Sequence, residues 1–253
     1  MRTILVLGLL AGSALAHAGT ACRAESAAAV LPVVELFTSE GCNSCPPADR
    51  WLARSFPADG ARAAAVLAYH VDYWDGLGWR DRFASPRFTA RQNEEVRMAG
   101  ARVVYTPQVL VQGRDHGFWR DGGADKAWRA VARESASARI ALEVQPAADA
   151  LAVRVEATLL RANANAQVLV ALTEGGRLSD VRAGENAGVR LEHDHVVRAL
   201  VAGPAFGARS AAVGTVSLPL PHERGHDPAV IAFVQDRRTG DVLQAVQAVC
   251  KFD

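Results

Sequence analysis

The stretch Val30-Leu31-Pro32-Val33-Val34-Glu35-Leu36-Phe37-Thr38-Ser39-Glu40-Gly41-Cys42-Asn43-Ser44-Cys45-Pro46-Pro47 decides how the first half of the chain folds. Val30 to Phe37 is an apolar, β-branched run of the kind that forms a strand buried on both faces. Thr38 to Gly41 breaks it. From Cys45 the pattern turns helical: Pro46 and Pro47 are acceptable in a first turn, and Trp51, Leu52 and Phe56 supply an apolar stripe. Ala63 to Tyr69 is the next buried strand. Strand, turn, helix and strand in this order predict a parallel βαβ unit with two cysteines where the first strand gives way to the helix.

Further along, Asp72 to Arg82 carries Tyr73, Trp74 and Trp79 among glycines and reads as an aromatic loop, followed by a polar helix over Pro86 to Met98. Tyr105-Thr106-Pro107 opens a strand from Gln108 to Val111, Gln112 to Asp115 reads as a hairpin turn with a short partner strand, and Ala124 to Ala138 reads as a helix. Beyond Arg139 the character changes to strands separated by turn residues, over 140–145, 151–160, 167–173, 189–200, 210–218, 229–235 and 242–251. The expectation is an α/β domain over residues 19–138 and a small antiparallel β-sandwich over 139–253, with the boundary near Ser137 to Arg139.

Arg2, the apolar run Ile4 to Leu10 and the small residues Ala14 to Ala18 have the layout of a secretory signal peptide over residues 1–18. The apolar core is too short for a bilayer-spanning helix, and no later segment offers a long apolar run, so no membrane insertion of the mature chain is expected. Acylation of Cys22 as a lipoprotein is disfavoured, because Gly19 stands where such signals carry a large aliphatic residue. The formal net charge is +1, from 28 basic and 27 acidic side chains, with no segment concentrating one sign, which argues against nucleic acid as a partner. A periplasmic or secreted location follows, where disulfides persist. Cys42 and Cys45 can pair with each other, leaving Cys22 and Cys250 for a structural bridge; two free or intermolecular thiols are the alternative.

At a helix N-terminus the unpaired backbone N–H groups and the positive end of the macrodipole stabilise a thiolate. Cys42 is therefore expected to be the exposed nucleophile and Cys45 the resolving thiol. An inert bridge is a weaker explanation, since so short a loop contributes little stability. Half of a zinc site would need two further ligands. Hydrolase and nucleotide-binding signatures are absent.

The runs Glu35 to Asp49, His70-Val71-Asp72-Tyr73-Trp74-Asp75-Gly76-Leu77-Gly78-Trp79, Tyr105-Thr106-Pro107-Gln108 and Gly184-Glu185-Asn186-Ala187-Gly188 resemble a family of bacterial secreted thioredoxin-like proteins catalogued as a domain of unknown function. The resemblance spans nearly all of the mature chain and implies a thioredoxin-like fold, with Thr106-Pro107 cis and lying against the CxxC. Unlike thioredoxin, the chain has Asn43-Ser44 between the cysteines, no tryptophan just before Cys42, and a longer stretch before Thr106-Pro107. The dipeptide influences redox poise, so the direction of exchange stays open. The extra aromatic segment is placed to cover the site.

His70, Asp72 and Asp75 are expected at the carboxyl end of the second strand, on the edge where α/β folds bind ligands. His70 reads as a proton shuttle for Cys45, as a third ligand beside Cys42 and Cys45 for Cu(I), or as a hydrogen-bonded strand-end residue. Trp74 and Trp79 read as core or lid residues, or as a peptide platform. His193 and His195, two apart on one expected strand, would face the same side and, with Asp194, His222 and His226, raise a metal hypothesis set against solvated loop residues; no metal site is assigned. The leading expectation is a thiol–disulfide oxidoreductase acting on protein or small-molecule disulfides and thiols with no cofactor beyond its cysteines, with catalytic Cys42, Cys45, Thr106 and Pro107. A copper carrier using Cys42, Cys45 and His70, and a non-catalytic scaffold, are the alternatives.

Overall fold

The computed structural model describes residues 21–57, 63–207 and 210–250; the expected signal peptide lies outside them. In chain order the elements are β1 (Cys22–Glu25), β2 (Val33–Thr38), α1 (Pro46–Ser55), β3 (Ala65–His70), α2 (Pro86–Met98), β4 (Gln108–Val111), β5 (Arg114–Asp115), α3 (Gly123–Val131), β6 (Ala138–Ala147), β7 (Ala150–Leu159), β8 (Ala166–Gly175), β9 (Arg177–Asp180), β10 (Arg190–His193), β11 (Val196–Ala202), β12 (Ala211–Pro219), β13 (His226–Asp236) and β14 (Val242–Val249). The protein is mostly β-sheet with few helices.

β2 and β3 run parallel, from Val33 opposite Ala65 to Thr38 opposite His70, and every residue of both is buried. β4 adds antiparallel to the other side of β2, and β5 completes the edge. The β4–β5 turn has both central residues, Gln112 and Gly113, at positive φ, as a tight hairpin requires. Only glycine fits at 113, because a Cβ there would collide with the Gly240 carbonyl. Ser85 caps α2 by accepting the Arg87 N–H, and Pro86 occupies the first turn, where no N–H is needed. α3 is shorter than expected: it ends at Val131, and the chain is already in β6 by Ala138.

The sheets do not divide at residue 138. β11 lies parallel to β3, with Val196 opposite Ala68 and the Ala68 N–H donating to the His195 carbonyl at 2.9 Å. A single eight-stranded sheet results, ordered β14-β13-β8-β11-β3-β2-β4-β5. A four-stranded sheet, β1-β6-β7-β12, packs on the far half of it around Val153, Val155, Val170, Leu172 and Val234, which is the sandwich-like part of the molecule. On the near half, α1 and α3 cover Val34, Leu36, Val66 and Val109. α2 covers the opposite face of the large sheet, where Phe88 joins Phe37, Tyr69 and Phe233. The remaining strands, β9 and β10, form a separate ribbon.

Two features cross these boundaries. Cys22, in the four-stranded sheet, is disulfide-bonded to Cys250 just after β14, with Cα atoms 5.7 Å apart. Arg91 of α2 is buried between Glu35 of β2 at 2.9 Å, Glu95 at 2.6 Å and the Gln235 amide oxygen of β13 at 2.8 Å. Burial and the Glu35 charge push Glu95 up to about 8 despite Arg91, while the two carboxylates outweigh burial and hold Arg91 above its ordinary value.

Replacing Arg91 by alanine leaves those carboxylates buried without their counter-charge, and urea unfolding should show a loss of about 3–5 kcal/mol. The double change Cys22→Ser/Cys250→Ser opens a link between residues 228 apart in sequence. It should cost about 2–4 kcal/mol by the same measurement.

Candidate functional site

β2 delivers the chain to a tight bend, Ser39 to Cys45, at the N-terminus of α1. The Cys42 N–H donates to the Ser39 carbonyl at 3.2 Å and the Cys45 N–H to the Cys42 carbonyl at 3.2 Å, so the bend is already coiled toward the helix. Cys45 is the N-cap residue, and Cys42 and Cys45 are disulfide-bonded with Cα atoms 5.4 Å apart. The β2–β4 register sets Phe37 opposite Gln108, which brings the cysteines and Thr106-Pro107 to one end of the sheet. The Thr106–Pro107 bond is cis. Trp74 joins the two places: its indole N–H donates to the Thr106 hydroxyl at 2.9 Å, and a Cβ on Gly41 would sit 3.0 Å from its Cβ.

The expectation of an exposed Cys42 is not met, since Cys42 and Cys45 are both 0 % exposed. Two loops enclose the bend. One is the 71–85 segment with Trp74 and Trp79. The other, residues 181–189 of the β9–β10 ribbon, comes from the second half of the chain. Asn186 donates to the carbonyls of Glu40 at 2.8 Å and Cys42 at 3.0 Å, and Glu185 accepts the Asn43 N–H at 3.1 Å. The loops meet through Gly78 and Gly184, both at positive φ, where backbone lies against backbone.

Behind the bend the chain buries charge. His70 Nδ1 is 2.6 Å from Asp81 Oδ2, and Asp81 also accepts the N–H groups of Glu40 at 2.9 Å and Phe83 at 2.8 Å. Burial alone would lower His70, but Asp81, then Asp49 and Glu40, hold it above its ordinary value. Burial would raise Asp81, and His70 with the two N–H donors holds it low. The Trp79 indole donates to Glu40 at 2.7 Å. Asp75 accepts the Asp81 N–H at 3.1 Å, whereas Asp72 points away and bonds Thr89 of α2.

The expected strand 189–200 is broken. His195 takes a positive φ of 58°, which separates β10 from β11 and turns the two histidines apart. His193 faces His70, ring centroids 4.8 Å apart, while His195 bonds the Phe56 carbonyl at 2.7 Å. His222 and His226 lie on the exposed 222–226 segment. Among the described residues no group of three or more His, Cys, Asp or Glu is arranged to hold a metal ion. Sequence reasoning gave no role to Glu40, Asp49, Asp81, Glu185 or Asn186. The one local signal was the glycine pair Gly184 and Gly188, which both take positive φ and frame the Glu185-Asn186 turn.

Residues 33–235 match the family model described as Protein of unknown function (DUF1223). The chain belongs to the DUF1223 family. No curated protein matches it. Among solved structures, this DUF1223 protein is similar to a protein of Agrobacterium tumefaciens from a structural genomics programme, with a TM-score of 0.62 and 27% identity over 89% of this chain and 98% of that one. It is also similar in fold to HBP35 of Porphyromonas gingivalis, with a TM-score of 0.64 and 16% identity over 88% of this chain and 76% of that one. Among the described residues no helix is long and apolar enough to cross a membrane.

The His70–Asp81 pair gives folding a defined pH dependence. The raised His70 contributes stability that is full below about pH 6.5 and lost as pH rises through its folded value; the depressed Asp81 contributes stability that is full above about pH 3.9 and lost as pH falls through its folded value. The stability difference between the native protein and Asp81→Asn should therefore be largest between those limits and shrink on both sides, as read from urea unfolding across pH.

Proposed function

We propose that this protein is an exported thiol–disulfide oxidoreductase, with a thioredoxin-like module in its first half and Cys42–Cys45 as the redox pair. The observation that carries the proposal is the position of the disulfide, closed across the bend between the carboxyl end of β2 and the N-cap of α1. There the helix N–H groups lower the cost of a thiolate on the first cysteine. Two disulfides in one chain suit an oxidising compartment. The shared fold of the two solved relatives supports a common scaffold and leaves the chemistry to the site.

Cys42 lies in the bend ahead of the helix and Cys45 at its N-cap, so a partner thiolate would attack Cys42 and Cys45 would leave. Thr106 and Pro107 would line the same edge and present backbone to the partner, a protein or small-molecule disulfide or dithiol. Because Cys42 is enclosed, exchange needs the 181–189 loop to release the bend. The C-terminal half would thus govern access to the thiol, a role a separate recognition domain would not have.

With a dithiol and a model disulfide as substrates, Cys42→Ser should abolish exchange and Cys45→Ser should accumulate a mixed disulfide on Cys42. The potential of the pair, read by alkylation in glutathione or dithiothreitol buffers, should fall between about −120 and −270 mV. A value below about −300 mV would mark a structural bridge and overturn the proposal.

A further inference from the structure

Five titratable side chains from five segments converge behind the first turn of α1. Glu40 follows β2, Asp49 lies in α1, His70 ends β3, Asp81 belongs to the 71–85 loop, and His193 ends β10. Glu40, His70, Asp81 and His193 are each at most 2 % exposed. Their contacts run in a chain from Asp81 to His70 at 2.6 Å, from the His70 ring to the His193 ring, and from His193 Nε2 to Glu40 Oε1 at 3.3 Å. Asp49 is half-buried as a residue, yet its carboxyl feels burial first and then the His193 and His70 imidazoles.

Burying ionisable groups is costly, and groups kept only for structure are normally saturated with hydrogen bonds. These are not. Glu40 Oε1, His70 Nε2 and both ring nitrogens of His193 lack an aligned hydrogen-bond partner. Free positions on both acidic and basic groups let a proton move among them, which a fully satisfied ion pair would prevent.

Asp49 connects this cluster to the disulfide. It follows Cys45 by one helical turn, and its N–H donates to the Cys45 carbonyl at 3.2 Å. Side chains at i and i+4 share a helix face, and each leans toward the helix N-terminus, so the Asp49 carboxyl leans back toward Cys45.

We infer that this cluster stores the proton of the Cys42–Cys45 exchange, Asp49 passing it between Cys45 and the His193–His70 pair; the inference rests on the redox function proposed above. A partner dithiol, its first sulfur deprotonated by solvent, attacks Cys42 Sγ. The Cys42–Cys45 bond breaks, its electron pair stays on Cys45, and a mixed disulfide forms on Cys42. Asp49 gives its proton to the Cys45 thiolate and is reprotonated from the imidazoles, which refill from solvent. The partner's second thiolate then attacks its own sulfur in the mixed disulfide, releasing Cys42 as a thiolate that takes a proton from solvent. Two electrons have passed to the pair, and the partner leaves as a disulfide. In reverse, Asp49 takes the proton from Cys45 as the thiolate attacks Cys42. One member of this relay, His193, comes from the C-terminal half of the chain.

Other charges bear on the cluster's titration. Asp75 accepts the Asp81 N–H, and Ser179 of β9 and Trp79 face Glu40. The Phe83 ring stands 5.3 Å from His70 and 5.8 Å from His193, and on it lie the guanidinium groups of Arg82, Arg177 and Arg198 at 4.7, 5.5 and 5.3 Å. Glu223 pairs with Arg82 and Arg177, and Glu174 with Arg198.

The test separates the two thiol steps in the full chain by stopped-flow exchange with dithiothreitol and a model disulfide from pH 5 to 9, comparing native protein, Asp49→Asn and His193→Gln. Asp49→Asn should slow the step in which Cys45 resolves the mixed disulfide, and its reverse in which dithiothreitol attacks Cys42 and expels Cys45, by about 10²-fold and flatten their pH profiles, leaving attack of the Cys42 thiolate on the model disulfide unchanged. His193→Gln should shift the inflection of the same steps. Unchanged resolution rates and profiles in Asp49→Asn would overturn the inference while leaving the redox function standing. If the native protein exchanges with neither substrate, the redox function itself fails and the inference with it. Should His193→Gln not fold, Asp49→Asn, half-buried on a helix, decides the matter alone.

Discussion

The join between β3 and β11 is the constraint on which the rest of the structure depends. It is short, with Val196 opposite Ala68 and one further backbone hydrogen bond, yet it places the β9–β10 ribbon beside the bend that holds the cysteines. So small a contact would not align two halves by itself. Polar side chains buried across the halves do that work: Arg91 holds Glu35 of β2 and Gln235 of β13 together, Gln112 accepts the Val33 N–H and donates to the Val242 carbonyl, and Gln244 binds the backbone at Ala27, Ala29 and Leu31. Each of these groups costs desolvation that only one arrangement recovers, so their contribution is to fix alignment more than to add net stability.

Local physics made much of the first half legible. β2, α1 and β3 follow from buried β-branched runs and a helical stripe, and the β4–β5 turn from Gln112-Gly113. The alternating strands of the second half were readable one by one, but their pairing was not. Nothing in Val196 to Ala202 distinguishes a strand that closes a sandwich from one that continues the sheet of the first half, because both are buried. The break at His195 was hidden for a related reason: a non-glycine residue at positive φ is held there by tertiary contacts and leaves no local mark. With that break unseen, His193 and His195 looked like neighbours on one face.

The site was legible in its sulfur chemistry and opaque in its electrostatics. The spacing of Cys42 and Cys45 ahead of a helical run announces a pair at a helix N-terminus. Burial of Cys42 does not follow from that spacing, because its cover comes from Trp74's segment and from the distant Glu185-Asn186 turn. Asp49 sits in the first turn of α1, where an acid is favourable at any helix start, so its residue type carries no mark of a further role. Only the fold shows that its carboxyl is buried within the field of the His193 and His70 imidazoles.

These surroundings bear on the direction in which the proposed exchange would run. A dithiol is strongly oxidising when its reduced form is stabilised, as when N–H donors converge on a thiolate. Here the Asn43 N–H, one of the donors nearest Cys42, is already taken by the Glu185 carboxylate at 3.1 Å. That carboxylate both occupies the donor and repels negative charge on Cys42, so it raises the free energy of the thiolate relative to the disulfide. The helix dipole acts in the opposite sense, but its effect is shared by every pair at this position, whereas the Glu185 carboxylate is brought to the bend from outside the helix by the 181–189 loop. In the proposed exchange the balance would shift the Cys42–Cys45 pair toward the reducing end of the range open to a helix-terminal CxxC. Release of the 181–189 loop, which the proposed exchange would need for access, would also remove this carboxylate, so that opening the site and activating its thiolate would be one movement.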